Sequence, residues 1–170
     1  FQNPTKPVGA FYLKEEADLL ARVNNFIFKE DPRKRGWRRV VPSPQPIDIL
    51  NKKVIKDLVK KGNLVIASGG GGIPVYRGAD NKLYGVEAVI DKDHASALLA
   101  EEIGAEVFYI LTDVPKVYLR FHKPDQKALD VITADEAQKY YDEGEFAAGS
   151  MGPKILAAIK FVKGGGKETV

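Results

Sequence analysis

Lys154 stands in Gly149-Ser150-Met151-Gly152-Pro153-Lys154, directly ahead of the apolar run Ile155-Leu156-Ala157-Ala158-Ile159. Small residues, then a proline, then apolar periodicity predict a helix with this lysine in its first turn. Free N–H groups, the helix dipole and the ammonium then add up to a place for a phosphate. A second lysine opens another predicted helix in Asp91-Lys92-Asp93. Aspartate before a helix is a routine cap, which accounts for one of the two acids. It does not account for Lys92, because a cation at the positive end of a helix is unfavourable by about 0.3–1 kcal/mol. A bound phosphate reverses that sign. Two such lysines with a carboxylate beside one of them point to phosphoryl transfer.

Weaker signals surround these. Gly69-Gly70-Gly71-Gly72 follows a predicted strand, where backbone can approach an anion closely. The run matches neither the P-loop nor the dinucleotide pattern, and a plain turn explains it equally well. Thr112-Asp113-Val114-Pro115-Lys116 reads as an Asx-type turn between strands, or as a loop that contacts a nucleotide. Lys6, between Thr5 and Pro7, is locally uninformative. Trp37, Tyr12 and Phe11 read as a small local core.

The elements that must position these groups alternate. Residues 1–9 read as loop, Leu13–Asn24 as a helix, and 26–30 and 37–41 as strands around a basic turn. Pro42, Pro44 and Pro46 then interrupt regular structure. A helix over 47–60, a buried strand over 63–68, a hairpin over 73–90 and a helix from His94 to Ile103 follow. Strands over 106–111 and 116–121 come next. A capping box at Thr133 opens a helix to about Glu143, and the last helix runs over about 153–162. This order predicts an α/β open three-layer sandwich with a largely parallel sheet. Ligands in such sheets bind beyond the carboxyl ends of the strands, where Gly70–Gly72 and Thr112-Asp113 fall. Residues 10–42 read as a small projecting subdomain, with 1–9 and 43–170 forming the main domain.

Bulk properties exclude much. The chain has 170 residues, 44% hydrophobic and 29% charged, with a net charge of +3. The one basic cluster, Arg33, Lys34, Arg35, Arg38 and Arg39, fits a solvated or ion-paired loop better than a nucleic-acid surface. Without cysteine there are neither disulfides nor thiolate metal sites, and His94 and His122 are too few for zinc. No apolar run of roughly 20 residues spans a bilayer, so cytoplasm is the default and no membrane partner is expected. Met151 is the only methionine and the chain starts at Phe1, so a segment of a longer protein is expected.

Five blocks, in order, resemble carbamate kinase, within the amino-acid kinases: Phe1–Gly9, Gly36–Pro44, Gly69–Val75, Val89–Asp93 and Gly149–Lys154. The resemblance implies the amino-acid kinase fold, incomplete here, with this segment as the nucleotide-binding half. It implies phosphoryl transfer between ATP and carbamate, giving ADP and carbamoyl phosphate, within arginine catabolism. Lys92 and Lys154 would flank the transferred phosphoryl, Asp93 would hold both ammonium groups, and Lys6 would bind the carbamate side. Thr112, Asp113, Lys116 and Met151 would lie around the nucleotide, with Gly70, Gly71 and Gly72 as an anion loop. Magnesium would come with the nucleotide phosphates, with no protein metal site, and a homodimer is implied. Members of that family are nearly twice this length and carry a further phosphate loop, so the segment alone is expected to be inactive. The alternatives are another amino-acid kinase with a carboxylate acceptor and a non-catalytic nucleotide-binding module.

Overall fold

Strands pair where a neighbour is available and stay open where none is, and that governs how the elements assemble. The computed structural model describes residues 3–170, in which helices and strands alternate in a mixed α/β arrangement. Phe1 and Gln2, which head the first motif, lie outside the described residues. The chain forms two compact units: residues up to Gln45 with Ile73–Ile90, and Pro46–Gly72 with Asp91–Val170.

The first unit contains β1 (Lys6–Tyr12), α1 (Lys14–Asn24), β2 (Ile27–Glu30) and β3 (Trp37–Val41). β3 is the centre of an antiparallel sheet ordered β1-β3-β2, with Lys6 opposite Val41 and Ile27 opposite Val40. The loop expected over 1–9 therefore gives way to a strand from Lys6 onward. Pro7 is tolerated because β1 is an edge, where a missing N–H breaks no ladder. Ala17 packs α1 inward at 1% exposure, and the Glu16 carboxylate accepts from the Leu13 N–H at 2.9 Å. Gly36 is required where it stands: its φ is +129°, and a Cβ there would meet the Tyr12 carbonyl oxygen at 2.9 Å. In the same unit, β4 (Val75–Arg77) and β5 (Leu83–Gly85) form the expected hairpin.

The second unit contains α2 (Lys52–Lys60), α3 (Lys92–Ile103), β6 (Val107–Phe108), β7 (Val117–Leu119), β8 (Lys127–Leu129), α4 (Ala134–Asp142), α5 (Met151–Lys163) and β9 (Glu168–Thr169). α5 is apolar on two sides. Ile155 and Ile159 join Leu119, Ala137 and Phe146 in one buried cluster, while Ala157 and Phe161 join Ala97 and Ala100 in another. Ala97, Ala157 and Phe161 are fully buried, the alanines allowing α3 and α5 to close around the phenyl ring. Burying that ring stabilises the contact by about 1.5–3 kcal/mol. α2 is tied to α3 by Lys52, whose ammonium meets Asp48 at 2.9 Å and Glu102 at 2.8 Å. Asp48 first, then Glu102, raise the Lys52 pKa above its ordinary value.

Three further expectations change. The helix expected from Ile47 begins at Lys52, downstream of Pro46. The buried strand expected over 63–68 is unpaired, with Leu64 97% and Ile66 96% exposed. Its residues suit a strand, but among the described residues nothing pairs with it. The strand expected over 106–111 shortens to β6, which pairs in parallel with β9, Val107 opposite Glu168. That is the one parallel pair among the described residues. β7 instead turns back into a hairpin with β8, an element too short and polar to announce itself. No helix among the described residues is long and apolar enough to cross a membrane.

Candidate active site

The helices α3 and α5 present their first turns to one carboxylate. Asp91 is the cap of α3: its Oδ1 accepts from the Asp93 N–H at 2.9 Å. That leaves the Asp93 side chain for a different task. Lys154 Nζ donates to Asp93 Oδ2 at 3.0 Å, across 61 residues of sequence. Lys92 Nζ stands 3.8 Å from the same oxygen.

These three groups differ in access to water. The side chains of Asp93 and Lys154 are 10% and 18% exposed, while that of Lys92 is 58% exposed. Removing two charges from water is expensive unless they face each other, so Asp93 and Lys154 stabilise one another in place. Lys92 remains open to solvent. With Asp91 engaged as the cap, the two ammonium groups share the one carboxylate of Asp93, where two helix dipoles already favour an anion. α5 adds to this because Ser150 supplies no side-chain cap at its start.

The other candidates are placed as follows. Met151 is the first residue of α5 and packs, half-buried, against the cluster around Leu119. Thr112 and Asp113 lie in an exposed stretch, the hydroxyl donating to the Asp113 carboxylate at 3.3 Å. Lys116 forms an exposed ion pair with Asp130, which raises the Lys116 pKa. Gly70, Gly71 and Gly72 form a turn after the unpaired 63–68 stretch, with the Gly71 N–H donating to the Ser68 carbonyl at 2.8 Å. Lys6 belongs to the first unit, where it opens β1. The structure thus brings Lys92, Asp93 and Lys154 together. Spacing alone carries no trace of the meeting between residues 93 and 154.

Residue types missed by sequence reasoning cluster at the entry to α5. The Glu145 carboxylate accepts from the Arg120 N–H at 2.7 Å. The Ala147 carbonyl accepts from Gly152 N–H at 2.8 Å and from Ser150 N–H at 3.2 Å. The signal available was a pair of small residues, Ala147 ahead of α5 and Gly152 in its first turn.

A carboxylate shared by two ammonium groups at paired helix starts is an arrangement that favours an anion such as a phosphate. The chain belongs to the amino acid kinase family, whose model matches residues 13–170. Among relatives, it is similar to the carbamate kinase of Thermococcus kodakarensis, 55% identical over 170 residues, covering 100% of this chain and 53% of that protein. The carbamate kinase of Clostridium perfringens is 54% identical over 168 residues, covering 99% of this chain and 53% of its own length. A solved carbamate kinase from Giardia lamblia bound to AMP-PNP matches with a TM-score of 0.87 at 48% identity, covering 99% of this chain and 53% of that one. The chain spans about half the length of the curated relatives it matches.

Proposed function

We propose that this chain supplies the nucleotide-binding half of a carbamate kinase, which transfers a phosphoryl group reversibly between ATP and carbamate. The observation that carries the reading is the convergence of Lys92 and Lys154 on Asp93. A carbamate oxygen is already anionic, so it forms its bond to the γ-phosphorus without losing a proton to a base. The bond from that phosphorus to the β,γ-bridging oxygen breaks, and ADP leaves with the electron pair. The barrier is the approach of two anions, which is lowered by positioning and by cations aimed at the equatorial oxygens. Lys154, held by Asp93, is the fixed cation. Lys92 is the adjustable one, because most of its side chain lies in water.

Lys6 then binds the carbamate side, Thr112, Asp113, Lys116 and Met151 surround the nucleotide, and Gly70, Gly71 and Gly72 hold a phosphate. Lys116 can exchange Asp130 for a phosphate at little expense, since exposed ion pairs are worth about 0–1 kcal/mol. Magnesium arrives with ATP. The ion would be held by the nucleotide phosphates and water more than by protein carboxylates. Magnesium supplies further neutralisation of the phosphate oxygens.

The complete protein in this reading is a cytoplasmic homodimer built on an open three-layer sandwich with a largely parallel sheet. Residues 10–42 form its projecting subdomain, and 1–9 with 43–170 belong to the kinase domain. The segment does not turn over alone. Leu64, Ile66, Leu111 and Val131 are each more than nine-tenths exposed, an apolar load that a finished sheet would cover.

The test is ATP formation from ADP and carbamoyl phosphate by a protein of the relatives' length carrying this segment. The reverse direction is run with carbamate, glutamate and acetylglutamate as acceptors. Carbamate-selective transfer, with no turnover by the isolated 170-residue chain, is expected. Preference for an amino-acid acceptor would overturn the substrate, and turnover by the isolated chain would overturn the need for the rest.

A further inference from the structure

The Asp93–Lys154 pair is anchored at one end by the cap of α3, but Ser150 gives α5 no corresponding side-chain cap. Something else must fix where α5 begins, and hence where Lys154 sits. The chain between α4 and α5 shows what does. Gly144, with φ +77°, ends α4; its N–H donates to the Tyr141 carbonyl at 3.0 Å, and the Glu145 N–H donates to Tyr140 at 3.1 Å. Glu145 then grips the Arg120 backbone N–H at 2.7 Å, and Phe146 plugs into the cluster with Leu119, Ile155 and Ile159. Held by these two anchors, the Ala147 carbonyl points back at the start of α5 and accepts from both Ser150 and Gly152.

This carbonyl acts as a backbone cap, and it sits closer to residue 152 than a Cβ ordinarily allows. A Cβ on Gly152 would lie 3.1 Å from the Ala147 oxygen and 3.5 Å from the Tyr141 ring. Gly152 is buried, two residues before Lys154 on the same helical turn. The neighbouring Gly149 is different: a Cβ there meets nothing within 4 Å.

We propose that Gly152 is a positioning residue, whose seat against the Ala147 carbonyl sets the distance from Lys154 to Asp93. The proposal rests on the reading of Lys154 as the fixed cation of phosphoryl transfer. A methyl group at 152 must be relieved by moving either the anchored loop or the first turn of α5. The loop is pinned at Glu145 and Phe146, so the helix start moves, carrying the Lys154 ammonium away from Asp93. Misplacement on that scale lowers the rate of the chemical step while leaving nucleotide affinity nearly intact.

The experiment compares Gly152→Ala, Gly149→Ala and Glu145→Ala in the full-length protein, measuring kcat and KM for the nucleotide together with the Lys154 Hε–Cε NMR cross-peak. Gly152→Ala is expected to lower kcat by roughly threefold to 10-fold, with nucleotide KM changed less than about twofold and the cross-peak shifted. Gly149→Ala should leave all three as they are. Glu145→Ala, which frees the loop without adding bulk, should shift the same peak and lower kcat by a smaller factor. It serves in place of Gly152→Ala if that variant does not fold. An unmoved Lys154 peak in whichever of these two variants folds overturns the proposal, as does an equal effect from Gly149→Ala. If the wild-type protein does not phosphorylate carbamate, the substrate reading falls, and the Lys154 peak alone decides the inference.

Discussion

The two units use positive charge in opposite ways. In the first, most cations of the basic turn meet an acid, a carbonyl or a ring nearby: Lys34 pairs with Glu30, and Arg35, Arg38 and Arg39 have the partners below. Arg35 is held by Asp31 at 2.9 Å and lies 4.7 Å from the Phe11 ring centre. Arg38 donates to the Gly9 carbonyl at 2.8 Å, and Arg39 pairs with Glu87 while stacking 3.5 Å over Phe26. Lys14 pairs with Asp18 and covers Trp37. Such contacts are each worth about 0.5–1 kcal/mol where exposed, and they consume the charge within the fold. In the second unit, Lys92 and Lys154 divide one carboxylate between them. The lesson is that the number of basic residues does not mark an anion site. The number left over after local partners are subtracted does, and the densest basic stretch of this chain has little to offer a ligand.

That contrast can be broken at Asp93 first. Asp93→Ala leaves the mostly buried Lys154 ammonium without its counter-charge, and breaking a buried pair in this way costs about 3–5 kcal/mol. Urea unfolding of the full-length protein should show a loss of that order, with turnover reduced to near background. A stability change below about 1 kcal/mol would show the pair to be no more than a surface contact. Lys92→Ala separates function from stability. Its side chain is 58% exposed, so the unfolding midpoint should not move, while kcat falls about 10²-fold through loss of one oxyanion donor. A matching drop in stability would contradict the assignment of Lys92 as the adjustable cation.

The smallest effect belongs to the first unit. The Arg35 guanidinium hydrogen-bonded to Asp31 lowers its pKa from 3.8 to about 2. A carboxylate lowered on folding adds stability that is complete above 3.8 and disappears as pH falls through about 2. Arg35→Ala should return the Asp31 titration midpoint, followed by carboxyl carbon NMR, toward 3.8 without altering turnover at neutral pH. A midpoint still near 2 would remove Arg35 as the cause.

Local patterns were legible, and distant partnerships were not. The capping box at Thr133 stands as read, with the Glu136 N–H donating to the Thr133 hydroxyl at 3.1 Å. The strands expected over 26–30 and 37–41 form as 27–30 and 37–41, because their neighbours lie a few residues away and the pairing is local. Residues 63–68 have the composition of a buried strand and yet stand open, since composition specifies a preference while pairing requires a second chain segment. Lys154 could be recognised as anomalous from its place in a helix's first turn. Its bond to Asp93 could not, because the partners lie 61 positions apart and the packing of Ala97 and Ala157 sets their distance. Resemblance to a family supplied the pairing that periodicity had no means to express. The backbone cap at Ala147 was invisible for a further reason: a carbonyl carries no residue identity.

The account turns on the two ammonium groups that share Asp93, and Lys154→Met in the full-length protein tests it most directly. Methionine keeps most of the packing volume in the first turn of α5 while removing the ammonium. Single-turnover transfer from ATP to carbamate should slow by about 10³-fold or more, with nucleotide binding weakened by no more than about tenfold. Transfer within about threefold of the wild-type rate would show that the buried pair holds two helices together and takes no part in moving the phosphoryl group.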